Sequence, residues 1–144
     1  MKKSSKKTVK TSINPKIEKF AKKFNIEFRV GSKPRDCDII VKNPPKEVPA
    51  VYYGQGVIFV RSETSLDKCD LDIVCLHEMG HAILDLFPLV EEHYNPLSEV
   101  FANMVALSLA AQLRLPVSQL MIENFNSYNE ETLKNISERK SINA

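Results

Sequence analysis

The sequence predicts an α+β domain: a short mixed or antiparallel sheet packed on a central helix, followed by a mostly helical C-terminal part. Three observations predict it. Short apolar runs flanked by Gly and Pro fill the first half of the chain, including Ala50–Tyr53 and Val57–Arg61 around Gly54-Gln55-Gly56. A stretch near the middle, with Ile73, Val74, Leu76, Met79, Ala82, Ile83, Leu84 and Leu86, is apolar around nearly its whole circumference, as in a buried helix. Beyond Asn95 the pattern turns to helical spacing.

In chain order, residues 1–12 are rich in Lys, Ser and Thr with little to bury, and a disordered basic tail is expected there. Residues 1–24 hold nine Lys against Glu18 alone, +8, so the rest of a chain of net charge +2 carries −6. The basic character is therefore local, and a solvated tail explains it; direct nucleic-acid binding is not expected. The tail lacks the apolar run of a signal peptide, and no segment is apolar enough to span a membrane. Cys37, Cys69 and Cys75 form no Cys-x-x-Cys pair, which argues for a reducing compartment and against a disulfide framework. A cytoplasmic protein is the expectation. Residues 13–144 fit one domain.

Asn14 and Pro15 are suited to the N-cap and first position of a helix carrying Ile17, Phe20, Ala21 and Phe24 on one face. Ile26, Phe28 and Val30 alternate as in a half-buried strand, and Asp38–Lys42 reads as a second. The proline-rich run Asn43–Pro49 is a loop. The glycines at 54 and 56 predict a hairpin, whose exposed edge would let a peptide add as one more strand. The central helix should start between Leu66 and Asp70 and run to Leu86 or Phe87, ahead of Pro88.

That helix carries His77-Glu78-Met79-Gly80-His81, a match to His-Glu-x-x-His. Residues four apart on a helix lie about 40° apart around the axis and roughly 6 Å along it, so both imidazoles reach one ion. Glu78, about 100° round from His77, leans over the same pocket as a catalytic acid/base. Two imidazoles and a carboxylate suit one Zn2+ ion, which lowers the pKa of a water at its open position to about 7. Gly80 costs about 1 kcal/mol relative to Ala in a helix interior, so its place between the histidines suggests close approach by a strand, helix or substrate.

A third ligand is needed. The elongated metzincin pattern would place Gly and His where Leu84 and Phe87 stand, which excludes that class. Asn95 and Pro96 begin a further helix ending near Leu113 or Leu115, on which Glu99, Ala102, Asn103, Ala106 and Ala110 form one stripe. Small side chains permit close helix approach, which would carry Glu99 to the metal; His93 in the intervening loop is the competing ligand. Asn103 is suited to hold the outer nitrogen of a ligating histidine, and Asp85 reads as a surface or supporting carboxylate. Tyr52, Tyr53, His93 and Tyr94 are the candidate oxyanion donors. After Pro116, Val117–Phe125 reads as a short helix, with Asn129 capping a last one from Glu130 to about Lys140.

His77-Glu-Met-Gly-His-Ala-Ile-Leu84, then Glu99-Val-Phe-Ala102-Asn103 and an apolar helix ending in Leu115-Pro116, resembles the ImmA/IrrE family of metallopeptidases across roughly 57–116. The resemblance implies a zincin-like, gluzincin-type domain in which His77, His81 and Glu99 bind zinc and Glu78 is catalytic. It also implies a bacterial, phage or mobile-element protein whose substrate is a helix-turn-helix transcriptional repressor. Some relatives carry an additional DNA-binding or sensor domain, for which this length leaves no room. The alternative is a non-cleaving protein on the same scaffold that binds a repressor or toxin; its mark would be a damaged motif, and this motif is intact.

Overall fold

The computed structural model describes residues 7–31, 49–87 and 95–143, so the expected strand at 38–42 and most of the proline-rich loop lie outside the described residues. Strand β1 (Val9–Lys10) leads into α1 (Pro15–Lys22), then β2 (Glu27–Gly31), the hairpin β3 (Ala50–Gly54) and β4 (Val57–Arg61), and β5 (Glu63–Thr64). Three helices follow: α2 (Lys68–Leu84), α3 (Asn95–Gln112) and α4 (Gln119–Asn143). The architecture is α+β, and its main sheet is mixed. β4 lies between β2, which runs parallel to it, and β3, which runs antiparallel.

Local chemistry accounts for the element ends. Asn14 caps α1 by accepting from the Lys16 N–H at 2.9 Å, and Pro15 occupies the first turn, where its missing N–H costs nothing. The hairpin turn holds Gly54, Gln55 and Gly56 at φ 108°, 56° and 73°, left-handed values that glycine adopts without steric cost. Asp67 caps α2 through the Asp70 N–H at 2.8 Å. That helix ends at Leu84, two residues before the expected terminus, and Leu86 turns out to solvent.

β4 is buried on both faces. Ile58 and Val60 join the main core with Ile17 and Ala21 of α1, Ile73, Leu76 and Met79 of α2, and Ala106, Leu109 and Ala110 of α3, while Val57 and Phe59 pack with Val51 on the other side. Each large apolar side chain so buried contributes about 1.5–3 kcal/mol. Because α2 contributes to the core along its length, its histidines are held on a rigid support. The expected stripe on α3 faces it, with Ala102, Ala106 and Ala110 fully buried and Asn103 nearly so.

Two expectations are corrected. The expected disordered tail, 1–12, contains ordered chain: β1 pairs antiparallel with β5, and the Thr11 N–H donates to Ser62 O at 2.9 Å. Backbone hydrogen bonds hold this segment, and a composition argument about side chains to bury does not register them. The C-terminal pair of helices is one helix, α4, running through Asn129. No Gly or Pro interrupts 125–129, and Asn129 Oδ1 accepts from Asn103 Nδ2 at 3.1 Å instead of capping its own backbone.

Candidate metal centre

The site is built where α2 and α3 touch. Gly80 makes that contact possible: a Cβ there would lie 2.6 Å from Ala102 Cα, so only glycine admits the α3 backbone at this distance. The close neighbour anticipated at Gly80 is thus the helix that carries Glu99.

His77 and His81, one turn apart on α2, bring their Nε2 atoms to 3.2 Å, with the rings nearly perpendicular. Glu99 faces both rings. Its Oε2 lies 3.1 Å from His77 Nε2 and its Oε1 2.8 Å from His81 Nε2. A tetrahedral ion with nitrogen and oxygen donors at about 2.1 Å sets neighbouring donors about 3.4 Å apart; the imidazole nitrogens, at 3.2 Å, stand close to that spacing, and the Glu99 contacts, at 3.1 and 2.8 Å, fall about 0.3 and about 0.6 Å inside it.

A second carboxylate is close, since His77, Glu78 and His81 alone also form a group that could hold a metal ion. Glu99 is the better third donor on geometry. Glu78 stands farther off, with Oε2 3.7 Å from His77 Nε2 and a carboxylate oxygen within 4.8 Å of both rings, and its Oε1 accepts the Tyr52 backbone N–H at 2.7 Å. Glu78 therefore stands beside the imidazole pair, the position suited to proton transfer.

The electrostatics favour positive charge at the centre of this triangle. The hydrogen bonds from His77 and His81 hold the Glu99 carboxyl far below the usual carboxylate range. Burial alone would lower the His77 pKa and is the largest single influence on it, but the Glu99 hydrogen bond and the charges of Glu78 and Glu99 together raise it. Burial raises the Glu78 pKa, opposed by the charge of His77 and the Tyr52 N–H. A carboxyl pushed upward in this way is a better base than one in water.

Comparison with protein-family models, curated proteins and solved structures yields no match. The site's chemistry rests on its own geometry.

The surroundings orient the rings. His81 Nδ1 lies 3.0 Å from Ser98 Oγ; with Nε2 directed to an ion, Nδ1–H donates to that hydroxyl and the tautomer is set. Ser98 was not anticipated from the sequence, although it stands four residues before Ala102 and so extends the small-residue stripe. His77 Nδ1 is buried with no hydrogen-bond partner among the described residues. Asn103, expected to hold a histidine, acts on His77 and raises its pKa, but the contact stops short of a formed hydrogen bond, and its Nδ2 is given to Asn129. The Phe125 ring of α4 lies 5.8 Å from the His77 ring and closes that side with apolar surface.

Among the other sequence candidates, Asp85 accepts the Tyr52 hydroxyl at 2.6 Å. His93 and Tyr94 lie outside the described residues, as does the Tyr53 side chain. No helix among the described residues is long and apolar enough to cross a membrane.

Proposed function

We propose that the chain is a zinc-dependent metalloendopeptidase, related to the ImmA/IrrE metallopeptidases it resembles, that hydrolyses peptide bonds of a cytoplasmic protein. A helix-turn-helix transcriptional repressor of a phage or mobile element is the substrate class the resemblance favours. The observation that carries the reading is the convergence of both Glu99 oxygens on the Nε2 atoms of His77 and His81, at 3.1 and 2.8 Å, with Glu78 alongside.

The donor set fits zinc, which when bound would acidify a solvent molecule to a pKa of about 7. His77, His81 and Glu99 supply the three donors. Glu78 Oε2, on the ring side of its carboxylate, takes the proton of the attacking solvent and passes it to the leaving amine, while Oε1 stays anchored on Tyr52. Ser98 holds the His81 ring in the ligating tautomer. Among the described residues β3 is one of the two edge strands of its sheet, and it reaches the site through Tyr52, so a peptide added along that edge passes beside Glu78.

The test is incubation of the zinc-loaded protein with a helix-turn-helix repressor, with and without a chelator, followed by mass spectrometry. Fragments that vanish with the chelator support the reading. A stable complex with no fragments would transfer the function to a non-cleaving repressor- or toxin-binding protein.

A further inference from the structure

We propose that Tyr52 is a positioning residue for Glu78: its hydroxyl, latched to Asp85, holds β3 against α2 so that its own backbone N–H fixes the Glu78 carboxylate. The role in turnover rests on the peptidase reading; the latch itself does not.

Glu78 and Asp85 are seven residues apart on and just past α2, which puts them about 20° apart around the helix and roughly 10 Å apart along it. Tyr52 spans that interval. At one end its N–H donates to Glu78 Oε1 at 2.7 Å; at the other its hydroxyl donates to Asp85 Oδ2 at 2.6 Å, the short separation of a charge-assisted bond. The same oxygen accepts the Gly56 N–H at 3.3 Å, tying the hairpin turn into the latch. Burial, then the bond to Asp85, pushes the phenol pKa up to about 12, so the donated proton stays in place at any working pH.

The sheet alone does not secure this arrangement. The β3–β4 register is regular from Ala50 to Tyr52 and then shifts, with Gly54 paired to Val57. A bulge at this point locally disrupts the ladder and lets the strand bend. The Tyr52 N–H donates to Glu78 on α2, and the hydroxyl latch restrains Tyr52 across the irregularity. A carboxylate with one oxygen anchored presents the other in a single orientation, and that is the oxygen facing His77.

The experiment follows individual backbone amides of the full zinc-loaded chain by hydrogen exchange in 15N NMR, for wild type, Tyr52→Phe, Asp85→Ala and Asp85→Asn. The amide of residue 52 should exchange about tenfold or more faster in Tyr52→Phe and Asp85→Ala, while Ile58 and Val60 keep wild-type rates. Asp85→Asn retains an acceptor and should recover part of the protection. In parallel, Tyr52→Phe should lower kcat about tenfold on a dye-quenched casein, at unchanged KM and zinc content. Wild-type exchange at residue 52 in both latch variants overturns the proposal. Equal acceleration across β3 and β4 overturns it too, since that marks a brace for the whole sheet. Should wild type cleave neither casein nor a helix-turn-helix repressor in a metal-dependent way, the peptidase reading fails, and the exchange rates still decide the latch.

Discussion

Glu78→Gln lowers kcat by about a thousandfold or more and leaves one equivalent of zinc bound. A positioned general base contributes about 10²–10⁴ to a hydrolytic rate, and Gln removes it while keeping shape. The Gln side-chain oxygen still accepts the Tyr52 N–H that holds Glu78 Oε1, so the backbone contact with β3 survives the change. The metal survives because His77, His81 and Glu99 supply three mutually close donors without Glu78. Initial rates on a metal-dependent substrate, with metal analysis of the same samples, check both halves. A variant that cleaves at the wild-type rate removes Glu78 from the mechanism.

Gly80→Ala destabilises the fold by about 1–3 kcal/mol, against the usual trend. In an open helix the change would stabilise by about 1 kcal/mol through propensity. Here the new methyl group would meet Ala102 Cα at 2.6 Å, and the obstacle is backbone, which no rotamer change relieves. Overpacking of that kind costs about 1–3 kcal/mol or more and is relieved by moving α2 and α3 apart. Glu99 rides on α3 three residues before Ala102, so the same displacement carries its carboxylate away from the imidazoles and weakens zinc binding. Urea unfolding and zinc titration read the two effects. A variant as stable as wild type, with wild-type zinc affinity, would show that the helix contact is not tight.

The parts of this fold that the sequence discloses are those written in neighbouring residues. Asn14-Pro15 states its own cap, the glycines at 54 and 56 state the hairpin, and two histidines one turn apart state that their rings converge. The stripe from Glu99 to Ala110 reaches further, because small residues at helical spacing imply a partner helix even when that helix is unnamed. What the sequence conceals depends on distant partners. Val9–Lys10 is ordered by the backbone of Glu63–Thr64, more than 50 residues away, and nothing in its own side chains announces this. Asn129 looks like a cap until Asn103 is placed opposite it. The Tyr52 hydroxyl has no sequence signal pointing to Asp85, 33 residues later, and the proposed ligating role of Glu99 depends on a helix contact that the spacing only suggests.

Zinc binding by Glu99→Ala, measured by competition with a chromogenic chelator, bears on all of this at once. Wild type should hold one equivalent, and the variant, left with two imidazoles, should bind about 100-fold or more weaker while its far-UV spectrum stays native. Glu99→Ala holding one zinc as tightly as wild type would contradict the three-donor site, and with it the mechanism built on it.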